Sequence, residues 1–157
     1  MEKINLNEKL DLFEDYWNPR IVGELNNQHV KLVKFKGEFV WHKHLEEDEM
    51  FFVVDGCFLM EFRDKTIEIK KNEFVIVPKG VEHRPIAKKE VSVMLFEPKT
   101  TKNTGDNSGK LTKNNLGSDN NIVRPPIEGA ASPLPTPNFL VLHTCLSQWL
   151  FKGSTLH

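Results

Sequence analysis

Between Trp41 and Gly56 the chain reads WHKHLEEDEMFFVVDG: two histidines one residue apart, then four consecutive acids, then the apolar run Met50 to Val54. On an extended strand, residues two apart project to the same side, so His42 and His44 present both imidazoles to one face. Glu49 opens the following run across an acidic turn, and Gly56 closes it. Downstream, PKGVEH sets His83 just past a Pro-x-Gly turn that ends another apolar run. Three imidazoles and one carboxylate from adjoining strands make a coherent ligand set for a single cation. The set suits Mn, Fe, Co, Ni, Cu or Zn and is too rich in nitrogen for Ca or Mg. Within the acidic cluster Glu49 is preferred, because it abuts the strand in register with Gly56. Asp48 also satisfies a looser spacing and Glu47 is close by, whereas Glu46, Glu47 and Asp48 suit a solvated turn.

The elements that must position these groups are short. From Ile21 to Pro98 the apolar runs IVGEL, VKLVKF, EFVWHKH, EMFFVV, CFLMEF, TIEI, EFVIVP and VSVMLFEP are separated by NNQ, KG, DG, RDK, KKN and PKG. Those separators carry turn chemistry, and strands at such regular spacing predict an antiparallel all-β sandwich or barrel. Residues 1–20 form an N-terminal arm, a short helix or an irregular segment, interrupted at Pro19. The barrel is expected over 21–116. Residues 117–157 hold four charges and five of the nine prolines, and read as a tail with one short apolar segment, NFLVLHTCLSQWLF.

On those residues the chain resembles the cupins. His42-x-His44-x4-Glu49-x6-Gly56 is similar to their first motif and Pro78-x-Gly80-x2-His83 to their second, over about residues 20–100. The resemblance implies a jelly-roll β-barrel, as in small single-domain bacterial cupins of unassigned function, with one divalent transition metal held inside by His42, His44, Glu49 and His83. Two positions depart from the pattern. Asn72 stands where the second motif opens with glycine, and asparagine best tolerates the left-handed turn required there. Ala87 replaces the closing asparagine, which is not a ligand.

The remaining candidates are weaker. Phe51 and Val53 share parity with Glu49 and are expected to face inward. Trp41, of opposite parity to His42, is expected outside, at a subunit interface. Arg84 next to His83 is a candidate clamp for an anionic substrate, with a surface arginine as the plainer reading. Cys57 is expected in the core or at its rim. No nucleophile motif, phosphate loop or dinucleotide fingerprint is present. Catalysis would therefore run through the metal: oxygenase, isomerase or decarboxylase chemistry on a small oxygen-rich molecule, with a non-catalytic ligand-binding module as the alternative. At 157 residues and net charge -1 the chain has room for one domain and no electrostatic pull toward nucleic acid or membrane. Two cysteines and a charged N-terminus place it in the cytoplasm, and edge strands predict a homodimer.

Overall fold

The computed structural model describes residues 3–113 and the backbone of 117–118; the expected tail, with its apolar segment, lies outside these apart from Gly117 and Ser118. One short helix, α1 (Leu6–Leu10), precedes eight strands: β1 (Arg20–Leu25), β2 (Gln28–Glu38), β3 (Glu49–Asp55), β4 (Cys57–Phe62), β5 (Thr66–Lys70), β6 (Phe74–Val77), β7 (His83–Pro98) and β8 (Gly117–Ser118). The architecture is the all-β barrel the sequence predicts. No helix among the described residues is long and apolar enough to cross a membrane.

The organising strand is β7. Along one edge it pairs antiparallel with β2 from Gln28↔Pro98 to Glu38↔Ile86. Along the other, its C-terminal half pairs with β3 (Met50↔Phe96 to Asp55↔Ser92) and its N-terminal half with β4 (Leu59↔Ile86 to Phe62↔His83). A sixteen-residue strand shared in this way ties both halves of the barrel together. Its inward residues Val91, Val93 and Leu95 meet Val33 and Phe35 of β2, Phe51 and Val53 of β3, and Phe58 and Met60 of β4, all of them buried. The period-two alternation of each strand is therefore read out directly as the core.

Two predicted elements differ. EFVWHKH is not a regular strand: Gly37 stays within β2, paired with Ala87 beside a register shift, and is not a turn, and past Glu38 only His42 pairs, opposite His83. The strand ladder also begins earlier than VSVMLFEP suggests, because HRPIAKKE already belongs to β7. Pro85 is accommodated because its carbonyl, not its missing N–H, carries the bond to Phe39.

The N-terminal arm wraps its own barrel. Asn5 caps α1 through its side chain, accepting from the amides of Asn7 and Glu8. A helix of this length is marginal alone, so its stability comes from burying Leu10 and, beyond it, Phe13 against Val22 and Leu32 on the outer face of β1 and β2. The arm then turns inward, and Trp17 joins the main core.

Turn chemistry matches the sequence where backbone conformation demands it. Asn72 has φ +68°, the left-handed conformation expected of the residue in the glycine position. Gly56 has φ +86°, and a Cβ there would sit 3.0 Å from the Glu90 carbonyl oxygen, so both conformation and space exclude a side chain.

Candidate metal centre

His42 and His83 face each other as a cross-strand pair whose amides and carbonyls bond reciprocally, at 3.1 and 2.9 Å. Directly opposed residues project to the same side of a sheet. The two imidazoles accordingly lie with centroids 4.2 Å apart. His44 follows two residues on, held where its carbonyl accepts from the Gly80 amide at 2.6 Å. Gly80, at φ +78°, is the left-handed residue of the turn that Val81 closes onto the Pro78 carbonyl. Glu49 enters from the first position of β3, opposite Val77. The structure brings His42, His44, Glu49 and His83 together: one donor atom from each lies within 4.8 Å of all the others, and every one of the four is buried.

The other candidates are used elsewhere. Asp48 accepts from the Lys79 amide at 2.9 Å and so braces the Pro-x-Gly turn. Glu47 accepts from the Thr100 hydroxyl. Arg84 points away from the cluster, bonded to Glu61 at 2.6 Å and to Glu38 at 3.1 Å. Trp41 lies outside, as its parity predicts, but the Arg63 guanidinium covers its ring at 3.8 Å and Arg84 approaches at 5.2 Å. Phe51 and Val53 face inward, whereas Cys57, expected in the core or at its rim, is exposed.

The hydrogen bonds around the cluster fix its chemistry. Nδ1 of His42 lies 3.0 Å from the Val40 carbonyl, and Nδ1 of His83 lies 3.0 Å from the Val81 carbonyl. A carbonyl only accepts, so each Nδ1 carries the proton and each Nε2 turns a lone pair toward the cluster, the arrangement that orients metal-binding histidines. His83 Nε2 is buried without a hydrogen-bond partner among the described residues, since Glu49 stands 3.6 Å away. An unsatisfied buried nitrogen is costly, and a cation in the cluster would satisfy it. His44 Nε2 meets Glu49 at 3.0 Å. Two donors bound to one such ion stand at most about 4.2 Å apart, so a small inward closure of the cluster would complete the shell. The residues fit a divalent transition metal.

Burial, followed by the charge of His83, pulls the His42 pKa down to about 4. Burial would push Glu49 upward, but its bond to His44, the nearness of His83 and the positive charge those rings carry when protonated outweigh it and hold Glu49 below the ordinary carboxylate range. Behind Glu49 lies a pair absent from the sequence reading. Lys31 on β2 and Glu97 on β7 are fully buried and bonded at 2.6 Å. Burial and then the Glu49 charge push Glu97 well above the ordinary range, against the pull of Lys31. Both residues could have been found, because Lys31 shares parity with Val33 and Phe35, and Glu97 with Val93 and Leu95.

Next to the cluster is a narrow cleft, partly open to solvent, with room for about one water. His42, Glu49, Phe35, Phe39, Phe51 and Leu95 line it, and Trp17 and Asn103, from outside the expected motifs, complete the wall. The loop after β7 also secures the histidine segment. Lys43 and Asp106 bond through two contacts, and Asn107 donates to the Trp41 carbonyl. A Cβ on Gly105 would run into the Lys43 carbonyl, so only glycine permits that approach.

Residues 30–97 match the family described as Cupin domain. A cupin-2 domain containing protein from Shewanella frigidimarina is 47% identical, with a TM-score of 0.61, over 94% of that chain and 61% of this one. A Neisseria meningitidis protein of known structure is 35% identical over 99% of its chain and 62% of this one, with a TM-score of 0.58. The uncharacterized protein YdbB of Bacillus subtilis is 42% identical over 64 residues, which is 40% of this chain and 57% of YdbB.

The depressed His42 pKa carries a stability consequence. The unfolded imidazole binds its proton near pH 6.5, whereas the native one resists until about 4. Stability present above pH 6.5 is therefore lost as the pH falls toward 4, by about 3 kcal/mol in metal-free protein. Glu49, also depressed, adds loss in the same direction at lower pH still, once the medium falls below the ordinary carboxylate value of 4.5. Urea midpoints measured across the window should fall with pH, and less steeply in His42→Gln.

Proposed function

The chain belongs to the cupin family, and from that footing we propose that it is a metal-binding cupin whose buried His42, His44, Glu49 and His83 hold one divalent transition metal that engages a small molecule in the adjoining cavity. The observation that carries this reading is the unpartnered, buried His83 Nε2, facing three other donors, with the His42 and His83 rings oriented by main-chain carbonyls. Such an ion would supply Lewis acidity, redox chemistry or a template for a chelating substrate. The protein supplies the rest. His42 and His83 are locked against rotation by their Nδ1 bonds, Glu49 contributes the negative charge, and the aromatic wall keeps bulk water away.

Among oxygenase, isomerase and decarboxylase chemistry, the lining disfavours any route that needs a separate acid or base. Among the described residues only His42 and Glu49 are titratable groups on the cavity wall, and both belong to the cluster. Glu47, Asp48 and Arg84, the proton-transfer and clamp candidates, are bonded elsewhere. This favours chemistry that resides at the ion itself, or ligand capture without turnover.

Protein purified without chelators should hold about one divalent transition metal per chain. His83→Ala and His44→Ala should each lose it while keeping the far-ultraviolet circular dichroism of the barrel. Equal metal content in both variants and the parent would refute the site.

The homodimer is proposed on an edge strand, as the sequence suggested, but away from Trp41. Trp41 is capped by Arg63, and the N-terminal arm is buried against its own barrel. Edge strand β6 instead exposes Phe74 (59%) and Ile76 (55%), opposite half-buried Phe52 and Met50 of β3. An apolar edge of this kind favours pairing with a second copy. Ile76→Lys should halve the mass in solution by light scattering, and Trp41→Ala should leave it unchanged; the reverse result would move the interface to Trp41.

A further inference from the structure

With the N-terminal arm in place, the cleft beside the cluster has room for about one water, so nothing larger reaches its His42 and Glu49 end. The residue that fills the space does not come from a barrel strand. The arm brings in Trp17, whose ring stacks on Phe35 at 4.4 Å and packs against Phe39 at 4.9 Å. A second groove, lined by Gln28, Asp48, Met50, Lys79 and Phe96, touches Glu49 but none of the three histidines.

Residues 11–19, which carry the indole, are tied to the barrel at separate points and not by a ladder. Tyr16 and Lys34 form an isolated bridge, and the Tyr16 hydroxyl donates to Glu90 at 2.8 Å on the exposed surface. The Trp17 amide donates to the Lys34 carbonyl at 2.9 Å and its indole Nε1 to the Lys36 carbonyl at 2.8 Å. Phe13 packs with Leu10, Val22 and Leu32 in the small outer cluster, away from the cleft. A segment held by a few bonds and one small cluster opens at lower cost than strands paired along their length. Trp17 also has φ +58°, rare for a bulky residue, so backbone strain is relieved when the segment lifts.

Resting on the metal-binding reading, we propose that residues 11–19 are a lid and Trp17 its plug. The segment lifts while the barrel stays folded, and ions and small ligands reach the centre through the space the indole vacates. The role is gating: the indole controls how fast the centre is reached, not how tightly it holds.

Two measurements on the full chain test this. By hydrogen exchange, the Trp17 amide and indole protons should exchange about a hundredfold faster than the slowest amides of β2 and β7. Exchange at the rate of those amides would mean that the arm opens only with the whole barrel, and would overturn the lid. The second measurement uses zinc alone. Its uptake, and its release to an excess of chromophoric chelator, should both accelerate about tenfold or more in Phe13→Ala, which loosens the arm outside the cleft. Trp17→Gly should do the same, since glycine takes the left-handed conformation without strain. The zinc Kd should stay within about threefold of the parent in both variants, because a gate speeds entry and exit alike. Unchanged rates would overturn the lid in favour of entry through the groove beside Asp48. A Kd weakened as much as release is accelerated would also overturn it, by making the arm a support for the ligands. Protein that takes up no zinc at all would strike the metal centre, and the lid would then stand or fall on the exchange rates.

Discussion

The reciprocal main-chain pairing of His42 with His83 is the contact on which the site depends. It is an isolated bridge, made just where β7 begins and after β2 has ended. With it in place, two imidazoles are forced onto one side of the sheet within van der Waals reach, far from water. Each donates Nδ1–H to a carbonyl two residues back, and each Nε2 is left as a bare lone pair. The cost of burying those nitrogens is what makes a cation at their focus the natural complement.

Much of the surrounding backbone serves to make that bridge possible. The Pro78–Val81 turn delivers the Gly80 amide to His44 and is itself braced by Asp48. On the opposite side, the loop after β7 clamps Lys43 and Trp41 through Asp106 and Asn107, at a distance that only Gly105 allows. The histidine segment thus gains its rigidity from two flanking loops in place of a continuous ladder. Ligands held by surrounding structure in this way keep their geometry without requiring a regular strand.

Most of the strands, the inward face of β3, and the identity of the four converging residues were legible in the sequence because a period of two and the spacing of His, Glu and Gly are local signals. Asn72 was legible for the same reason: its left-handed conformation follows from its own chemistry. The exceptions share a different cause. EFVWHKH has strand composition, but its partner is a short stretch of β7 brought close only by the closed barrel, and Gly37 continues β2 where a turn was expected. Trp17 and Asn103 lie seventy and more residues apart in sequence and meet in one wall only through tertiary packing. Within the acidic run the register with Gly56 favoured Glu49 as the ligand and left Asp48 to the turn. The difference between Glu49 and Asp48 is one residue of strand register, which points one side chain inward and leaves the other beside the Lys79 amide.

The Lys31–Glu97 pair adds a buried charge system directly behind Glu49, on two strands that also build the core. Buried ion pairs seldom add net stability, and this one lies within the field of the Glu49 carboxylate, which raises the Glu97 pKa. The central claim is that three imidazole nitrogens and one carboxylate oxygen surround a single ion. X-ray absorption at the edge of the bound metal tests it most directly. The account predicts the multiple-scattering pattern of about three imidazoles with oxygen completing the shell. A spectrum of oxygen neighbours alone, or one with sulfur bound, would contradict it.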